Sequence, residues 1–362
     1  MKSTTYLSFA ILLLAACNSG NIEEKKSGTS STNTSTTAES KVAPYDTDPN
    51  IEVETKAFLK ALNTGGGKPL ETLSPAEARK VLEGAQTSVP TDLSGVDVSE
   101  KTITQDSLTI KLFITRPAGV KGVLPVFMFF HGGGWVLGDF PTHKRFIRDL
   151  VVYSGAVAVH VEYSRSPEAK YPVALNECYA ATKWVAEHGN EINVDGKKLA
   201  IVGNSVGGYL TAAVALMAKD KKGPAIRQQV LFWPVTNAGF ETGSYNQYAT
   251  DRFLTKNMMK WFWDSYLPDT TKRKEIYASP LQASTEQLAG LPPALIQTAE
   301  NDVLRDEGEA YGRKLNAAGV STTSTRYLGM IHDYGLLNPL AKIPEVQTAL
   351  LQAAAVIKTS LK

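Results

Sequence analysis

"AIVGNSVGGYLTAAVAL", residues Ala200–Leu216, changes character halfway along. Its first residues end an apolar run of the kind carried by a strand buried on both faces, and a helical pattern takes over from Gly207. Between them stands Gly203-Asn204-Ser205-Val206-Gly207. G-x-S-x-G between a strand and a helix is a nucleophile elbow. The turn is so tight that the residues two before and two after the serine must lack side-chain bulk. It lifts the Ser205 hydroxyl out of the sheet and aims a helix N-terminus at it. A glycine turn used only for packing is the alternative, and the strand–turn–helix context argues against it.

A serine hydroxyl is a weak nucleophile and needs a base within hydrogen-bond reach. The chain has five histidines. His188 ends a helix, His160 lies within an apolar strand, His143 sits in a loop opening a helix, and His131 begins a glycine run. His332 alone follows the serine, in a loop after the last strand, as the chain order Ser, acid, His requires. It is therefore the expected base. The acid must lie between them at the end of a strand. In "ALIQTAENDVLRDEGEAY", Asp302 stands just past the apolar run, with Glu300 in reserve. Asp306 and Glu309 have capping-box spacing and are explained by the start of a helix. Asp333, beside the base, reads as structural because it is badly placed to reach its neighbour's ring.

"FFHGGGWVLG", Phe129–Gly138, places three glycines where another apolar strand stops. Attack on a carbonyl creates an oxyanion, and fixed backbone N–H groups stabilise it without reorganising. Val206, the residue after the nucleophile, would supply one donor. Gly133 and Gly134 would supply the others, their missing side chains leaving the approach open.

Strands and helices alternate around these motifs. "SLTIKLFITRP", "VLPVFMFFH", "AVAVHVEY", "KLAIVGNS", "QQVLFWPV", "PALIQTAEND" and "TSTRYLGMIH" read as strands, most of them buried. Helices are expected over 174–188, from Gly207, from Asp306 and from Pro344. This is an α/β pattern with a mostly parallel sheet. Two helices precede the first strand, the second with Ser74 as N-cap, Pro75 at N1 and Glu77 in the first turn. Residues 237–284 interrupt the alternation with an aromatic insertion, "MMKWFWDSYLPD". Met258, Met259, Trp261, Phe262 and Trp263 would either line an apolar pocket or pack the insertion onto the core.

Together these stretches resemble the hormone-sensitive lipase family (HGGG type) of bacterial α/β-hydrolase carboxylesterases. "HGGGW", the elbow at Gly203–Gly208, "YSRSPEAKYP", "DVLRDEGEAY" and "GMIH" occur in that family's order, from about Thr109 to the C-terminus. The resemblance implies an α/β-hydrolase fold, an eight-stranded sheet flanked by helices, with a helical cap from about 48–90 and 237–284. It implies cleavage of short-acyl esters through an acyl-enzyme, without a cofactor or metal. The triad would be Ser205, Asp302 and His332, and the oxyanion hole Gly133, Gly134 and Val206. An amidase or other acyl hydrolase on the same triad is the alternative. A non-catalytic binding protein on the scaffold is a third reading, against which all three triad members stand. The sequence departs from the family pattern at Asn204, where Asp is common, and at Val206, where Ala is. It also has Asp333 and Tyr334 for Gly and Phe, and its arginine moves by one position to Arg165.

Lys plus Arg number 38 and Asp plus Glu 36, a net charge of +2 that offers no footprint for nucleic acid. At the N-terminus Lys2 precedes "YLSFAILLLAAC", an apolar run too short to span a bilayer but suited to a secretory signal. "LAAC", Leu14–Cys17, resembles a bacterial lipoprotein box. Residues 1–17 would then be a signal peptide cleaved before Cys17, with lipid on Cys17 anchoring an exported lipoprotein to a membrane of the cell envelope. An ordinary signal peptide with an incidental cysteine is the other reading. Residues 18–47 are too polar to fold and read as a tether, with the hydrolase domain spanning 48–362. Cys178, the second of two cysteines, reads as a small buried helix residue.

Overall fold

The computed structural model describes residues 43–362. The expected signal peptide, Cys17 and most of the expected tether lie outside the described residues; the last part of that tether, 43–47, instead packs on the domain, where Tyr45 meets the core and the Ala43 carbonyl accepts from Arg252 at 2.7 Å. Among the described residues, eight strands follow one another: β1 Val96–Gln105, β2 Leu108–Pro117, β3 Leu124–Phe130, β4 Val157–Glu162, β5 Val194–Asn204, β6 Gln228–Phe232, β7 Ala294–Asn301 and β8 Thr322–Ile331. They form one sheet in the order β1-β2-β4-β3-β5-β6-β7-β8. β1–β2 and β2–β4 pair antiparallel, and the rest are parallel. The helices are α1 Val53–Thr64, α2 Pro75–Thr87, α3 Phe140–Ser154, α4 Val173–His188, α5 Val206–Asp220, α6 Gly243–Gln247, α7 Lys256–Tyr266, α8 Thr285–Leu288, α9 Arg305–Ala317 and α10 Pro344–Ser360.

Continuous apolar strands are explained by two cores. In β3, Val126, Met128 and Phe130 join the core that includes α4, α5 and α9 residues. Phe127 and Phe129 point the other way, into the core shared with α3 and α10. Side chains alternate along a strand, so a sheet covered on both faces needs apolar residues at every position.

The apolar runs locate seven strands; β1 carries no such run because it is an edge strand whose residues are mostly exposed. Its signal is local. Asp106 and Ser107, at φ 49° and 65°, make a two-residue turn between two alternating runs. The helix start after β7 also differs from the sequence expectation. α9 begins at Arg305 with no side-chain cap, and Asp306 instead accepts the Ser244 N–H at 2.7 Å. Glu309 pairs with Arg326 at 2.7 Å. The start of α2 does carry its capping box: Ser74 Oγ accepts the Glu77 N–H, and the Glu77 carboxylate accepts the Ser74 N–H. Cys178 is fully buried on α4.

The N-terminal segment and the 237–284 insertion meet above the sheet. Asp48 and Arg252 form an ion pair at 2.8 Å with each side chain 3% exposed, and Phe58 lies against Phe253 with ring centroids 6.0 Å apart. Removing one partner of such a pair leaves the other charged and dry. Arg252→Ala is expected to lower stability by about 3–5 kcal/mol in urea unfolding. A loss below about 1 kcal/mol, the range of surface pairs, would contradict this.

Candidate active site

The parallel strands end along one edge of the sheet, and four of those ends build the site. At the end of β5 the chain turns through Ser205, at φ 55° and ψ −119°. A non-glycine residue rarely holds a positive φ, and such strain is of order 1–3 kcal/mol. β6 and the loop after it hold it in place: Ser205 N–H donates to the Phe232 carbonyl at 2.9 Å, and the Ser205 carbonyl accepts from the Val235 N–H at 3.1 Å. The two glycines flanking the turn are obligatory. A Cβ on Gly203 would overlap the Gly207 carbonyl, and one on Gly207 would overlap the Phe130 carbonyl.

His332 follows β8 and Asp302 follows β7. Asp302 Oδ2 lies 2.7 Å from His332 Nδ1, and Ser205 Oγ lies 3.0 Å from His332 Nε2. Asp302 and His332 are nearly dry, at 1% and 2% exposure. An ionised carboxylate only accepts, so Nδ1 carries the proton in the neutral ring and Nε2 is left to accept from the serine hydroxyl. Asp302 Oδ1 also accepts the Leu304 N–H at 2.9 Å, which holds the carboxylate at the end of its strand. Glu300, the reserve acid, faces elsewhere and accepts the Gly329 N–H at 2.8 Å.

The loop after β3 carries Gly133 at φ 107° and Gly134 at φ 62°. Its turn is closed by the Val136 and Leu137 N–H groups, which donate to the Gly133 carbonyl at 3.1 and 2.7 Å. A Cβ on Gly134 would strike the Phe262 ring. Trp135, fully buried, stacks on Tyr266 of α7 at 4.3 Å. Arg79 of α2 reaches in from above, donating to the Val136 carbonyl at 2.8 Å while its other nitrogens grip Glu168. Arg165, the displaced arginine, donates to the Gly138 carbonyl at 2.8 Å and so still supports the far end of this loop. Val206 opens α5, so its N–H has no intrahelical acceptor.

Ser205, His332, Gly133 and Gly134 share a cavity of about 610 Å³. Its apolar walls come from both segments above the sheet, including Phe58, Leu70 and Leu82 from one and Leu254, Met258 and Phe262 from the other. Met259 also lines it. Trp263 instead packs against Trp135 at 4.8 Å, so the aromatic insertion divides between lining and packing. Among the described residues no cluster of three or more His, Cys, Asp or Glu is arranged to hold a metal ion.

Three further polar residues join the site. Asp333, expected to be structural, lies in the cavity wall, its Oδ2 3.8 Å from His332 Nε2. Trp233 Nε1–H donates to Asp333 Oδ1 at 2.7 Å, and Asn204 Nδ2–H donates to the same oxygen at 3.1 Å. No local pattern announces such a group; Asp333 turns back toward its neighbour's ring because its backbone is left-handed, at φ 59°. Burial disfavours the His332 imidazolium, but the charges of Asp302 and then Asp333, with the Asp302 hydrogen bond, hold its pKa above the ordinary value.

Beneath the glycine loop, His131 stacks on His160 and lies tilted against His143, with centroids 5.4 Å apart in both pairs. Burial foremost, then the neighbouring histidines, pushes His131 well below its usual pKa and His143 to about 4. His131 and His143 stay neutral in the folded protein, whereas in the unfolded chain they take protons below about pH 6.5. Their contribution to stability is therefore full above that pH and lost as pH falls, at up to about 1.4 kcal/mol per pH unit for each ring. Between about pH 4 and 6.5, the unfolding free energy of His143→Gln is expected to fall less steeply than that of the wild type. Equal slopes in urea titrations would contradict a neutral His143.

A family described as alpha/beta hydrolase fold matches residues 127–336. Carboxylesterase NlhH of Mycobacterium tuberculosis is 32% identical over 322 residues, covering 88% of this chain and 98% of its own length. A thermostable esterase from Pseudomonas putida superposes with a TM-score of 0.86 at 66% identity, covering 87% of this chain and 99% of that structure. One of two esterases from the fungus Rhizomucor miehei gives a TM-score of 0.81 at 40% identity, covering 86% and 97%. With its sheet order, its glycine loop and its serine turn, this chain belongs to the hormone-sensitive lipase-like family of α/β-hydrolase fold proteins.

Proposed function

We propose that this protein is a serine ester hydrolase in which Ser205 is the nucleophile, His332 the base and Asp302 the residue that orients the imidazole and balances its charge. The observation that carries the reading is the continuous relay from Asp302 through His332 to Ser205, at 2.7 and 3.0 Å, opening into an apolar cavity beside the glycine loop. As Ser205 attacks the ester carbonyl its proton passes to His332 Nε2. The oxyanion is received by the N–H groups of Gly133, Gly134 and Val206. The imidazolium then protonates the departing alcohol, and water repeats the sequence on the acyl-enzyme to release the acid. The relatives named as carboxylesterase and esterase support an ester as the small-molecule substrate. Short acyl chains are the substrates the family resemblance implies, with Phe262 lining the cavity beside Gly134.

In this reading the segments 48–90 and 237–284 form a cap that walls the cavity, and Cys17 carries the lipid that tethers the domain, through the polar residues that precede Ala43, to a membrane of the cell envelope. The lysine-led apolar run ending in "LAAC" and the polar stretch after it support the anchor. It is tested by expressing the full chain and Cys17→Ser in a bacterium with labelled palmitate; label in both proteins, or in neither, would rule it out.

The soluble domain is expected to hydrolyse short p-nitrophenyl esters and to be labelled once by an organophosphonate, and Ser205→Ala to lose both properties. No turnover and no labelling by the wild type would overturn the esterase reading. Gly134→Ala, at a positive φ and against Phe262, is expected to lower kcat by roughly 10²–10³-fold, the effect of losing one oxyanion donor. A change confined to KM would argue that this loop binds substrate without stabilising the oxyanion.

A further inference from the structure

Two positions at which the sequence departs from its family's pattern meet beneath the serine. Asn204 immediately precedes Ser205, and its Nδ2–H donates to Asp333 Oδ1 at 3.1 Å. At its other end Asn204 Oδ1 accepts the Gly132 N–H at 3.0 Å, a donor it shares with His143 Nε2 at 3.3 Å. A Cβ on Gly132 would sit 2.5 Å from Asn204 Nδ2, so the amide lies hard against the start of the glycine loop. Asp333 is 6% exposed, holds the Trp233 indole with the same oxygen that receives Asn204, and turns Oδ2 toward His332 Nε2 at 3.8 Å.

The direction of these bonds is forced. An ionised carboxylate has no donor, whereas an amide has one donating and one accepting end. Asp333 therefore draws Nδ2 to itself and leaves Oδ1 facing the Gly132 N–H. An aspartate at position 204 would set two carboxylates against each other, and one would have to take a proton or move away. We infer that Asn204 and Asp333 are a matched pair of positioning residues that locks the loop of His332, the turn of Ser205 and the glycine loop into one register. The inference rests on the serine-hydrolase reading above.

Asp333 also adds a negative charge beside the imidazole. The charged groups that act on His332 are Asp302 after β7 and Asp333 in its own loop, while Glu54 of α1 lines the same cavity. On the far side Asp333 faces His143 of α3, whose charge it would favour. Loss of the Asp333 charge makes the imidazolium easier to deprotonate, so the acid limb of activity moves to lower pH.

The test is a cycle of Asn204→Asp, Asp333→Asn and the double variant, with kcat and KM for p-nitrophenyl butyrate across pH and thermal midpoints for each protein. Asp333→Asn keeps an oxygen for Trp233 and is expected to shift the acid limb of kcat/KM downward. Asn204→Asp is expected to lower kcat at least tenfold with little change in KM, and to lower the midpoint. The double variant, which no longer opposes two charges, is expected to regain part of both losses. An unmoved acid limb in Asp333→Asn, a fully active Asn204→Asp, or a double variant no better than Asn204→Asp would each overturn the pairing. If Asn204→Asp does not fold, a folded double variant supports the pairing and an unfolded one overturns it. Absent turnover by the wild type would instead overturn the hydrolase reading, and the thermal midpoints would still judge the pairing: recovery in the double variant supports it and none overturns it.

Discussion

The site hangs on one backbone constraint, the left-handed turn at Ser205. A strand that must become a helix within one residue brings backbone atoms of Gly203, Gly207 and Phe130 into contact, leaving no room for a Cβ at either glycine. That crowding projects the serine side chain above the strand ends and starts α5 beneath it. Hydrogen bonds from β6 and the loop after it hold the turn, so the strain is supported by the sheet rather than by the turn itself. Every other group in the site is useful only if this one stays put.

Around that turn the electrostatics are arranged in a low-dielectric setting. The cavity walls are largely apolar, and the carboxylates of Asp302 and Asp333 both act on the His332 imidazole. Asp302 fixes the tautomer by accepting at Nδ1; Asp333 sits near the other nitrogen and raises the cost of removing the proton. The glycine loop contributes dipoles with no titration of their own, and it is supported from below by the neutral rings of His131 and His143. His143 can accept from Gly132 only while Nε2 is unprotonated, so burial of the histidine stack and the shape of the loop depend on one another.

The cavity itself belongs to no single part of the chain. α1, α2 and α7 contribute facing walls, and the Asp48–Arg252 pair and the Phe58–Phe253 contact join the two segments that carry them. Arg79 connects α2 to the glycine loop, so a shift of the N-terminal segment is transmitted to the backbone beside the serine. Size and shape selection therefore come from residues distant in the chain on both sides of Ser205, those of α1 and α2 lying more than one hundred positions before it.

Much of the fold is legible in the sequence because the signals are local. Buried parallel strands are unbroken apolar runs, G-x-S-x-G between strand and helix points to a nucleophile, and the order serine, acid, histidine leaves His332 as the base. β1 is hidden because an edge strand contributes little apolar surface, and the start of α9 is misleading because acidic spacing alone does not show which partners win. Asp302 over Glu300 can be argued from strand position, but the distances to His332 require the structure. Amino-acid order determined which chemistry is present and which strand ends carry it, since elbows, glycine loops and apolar runs are set by neighbouring residues. Only the tertiary structure decided that Asp333 faces the imidazole, that Asn204 joins two loops and that distant helices enclose the cavity. Those contacts depend on where strand ends converge, which no local pattern of residues encodes.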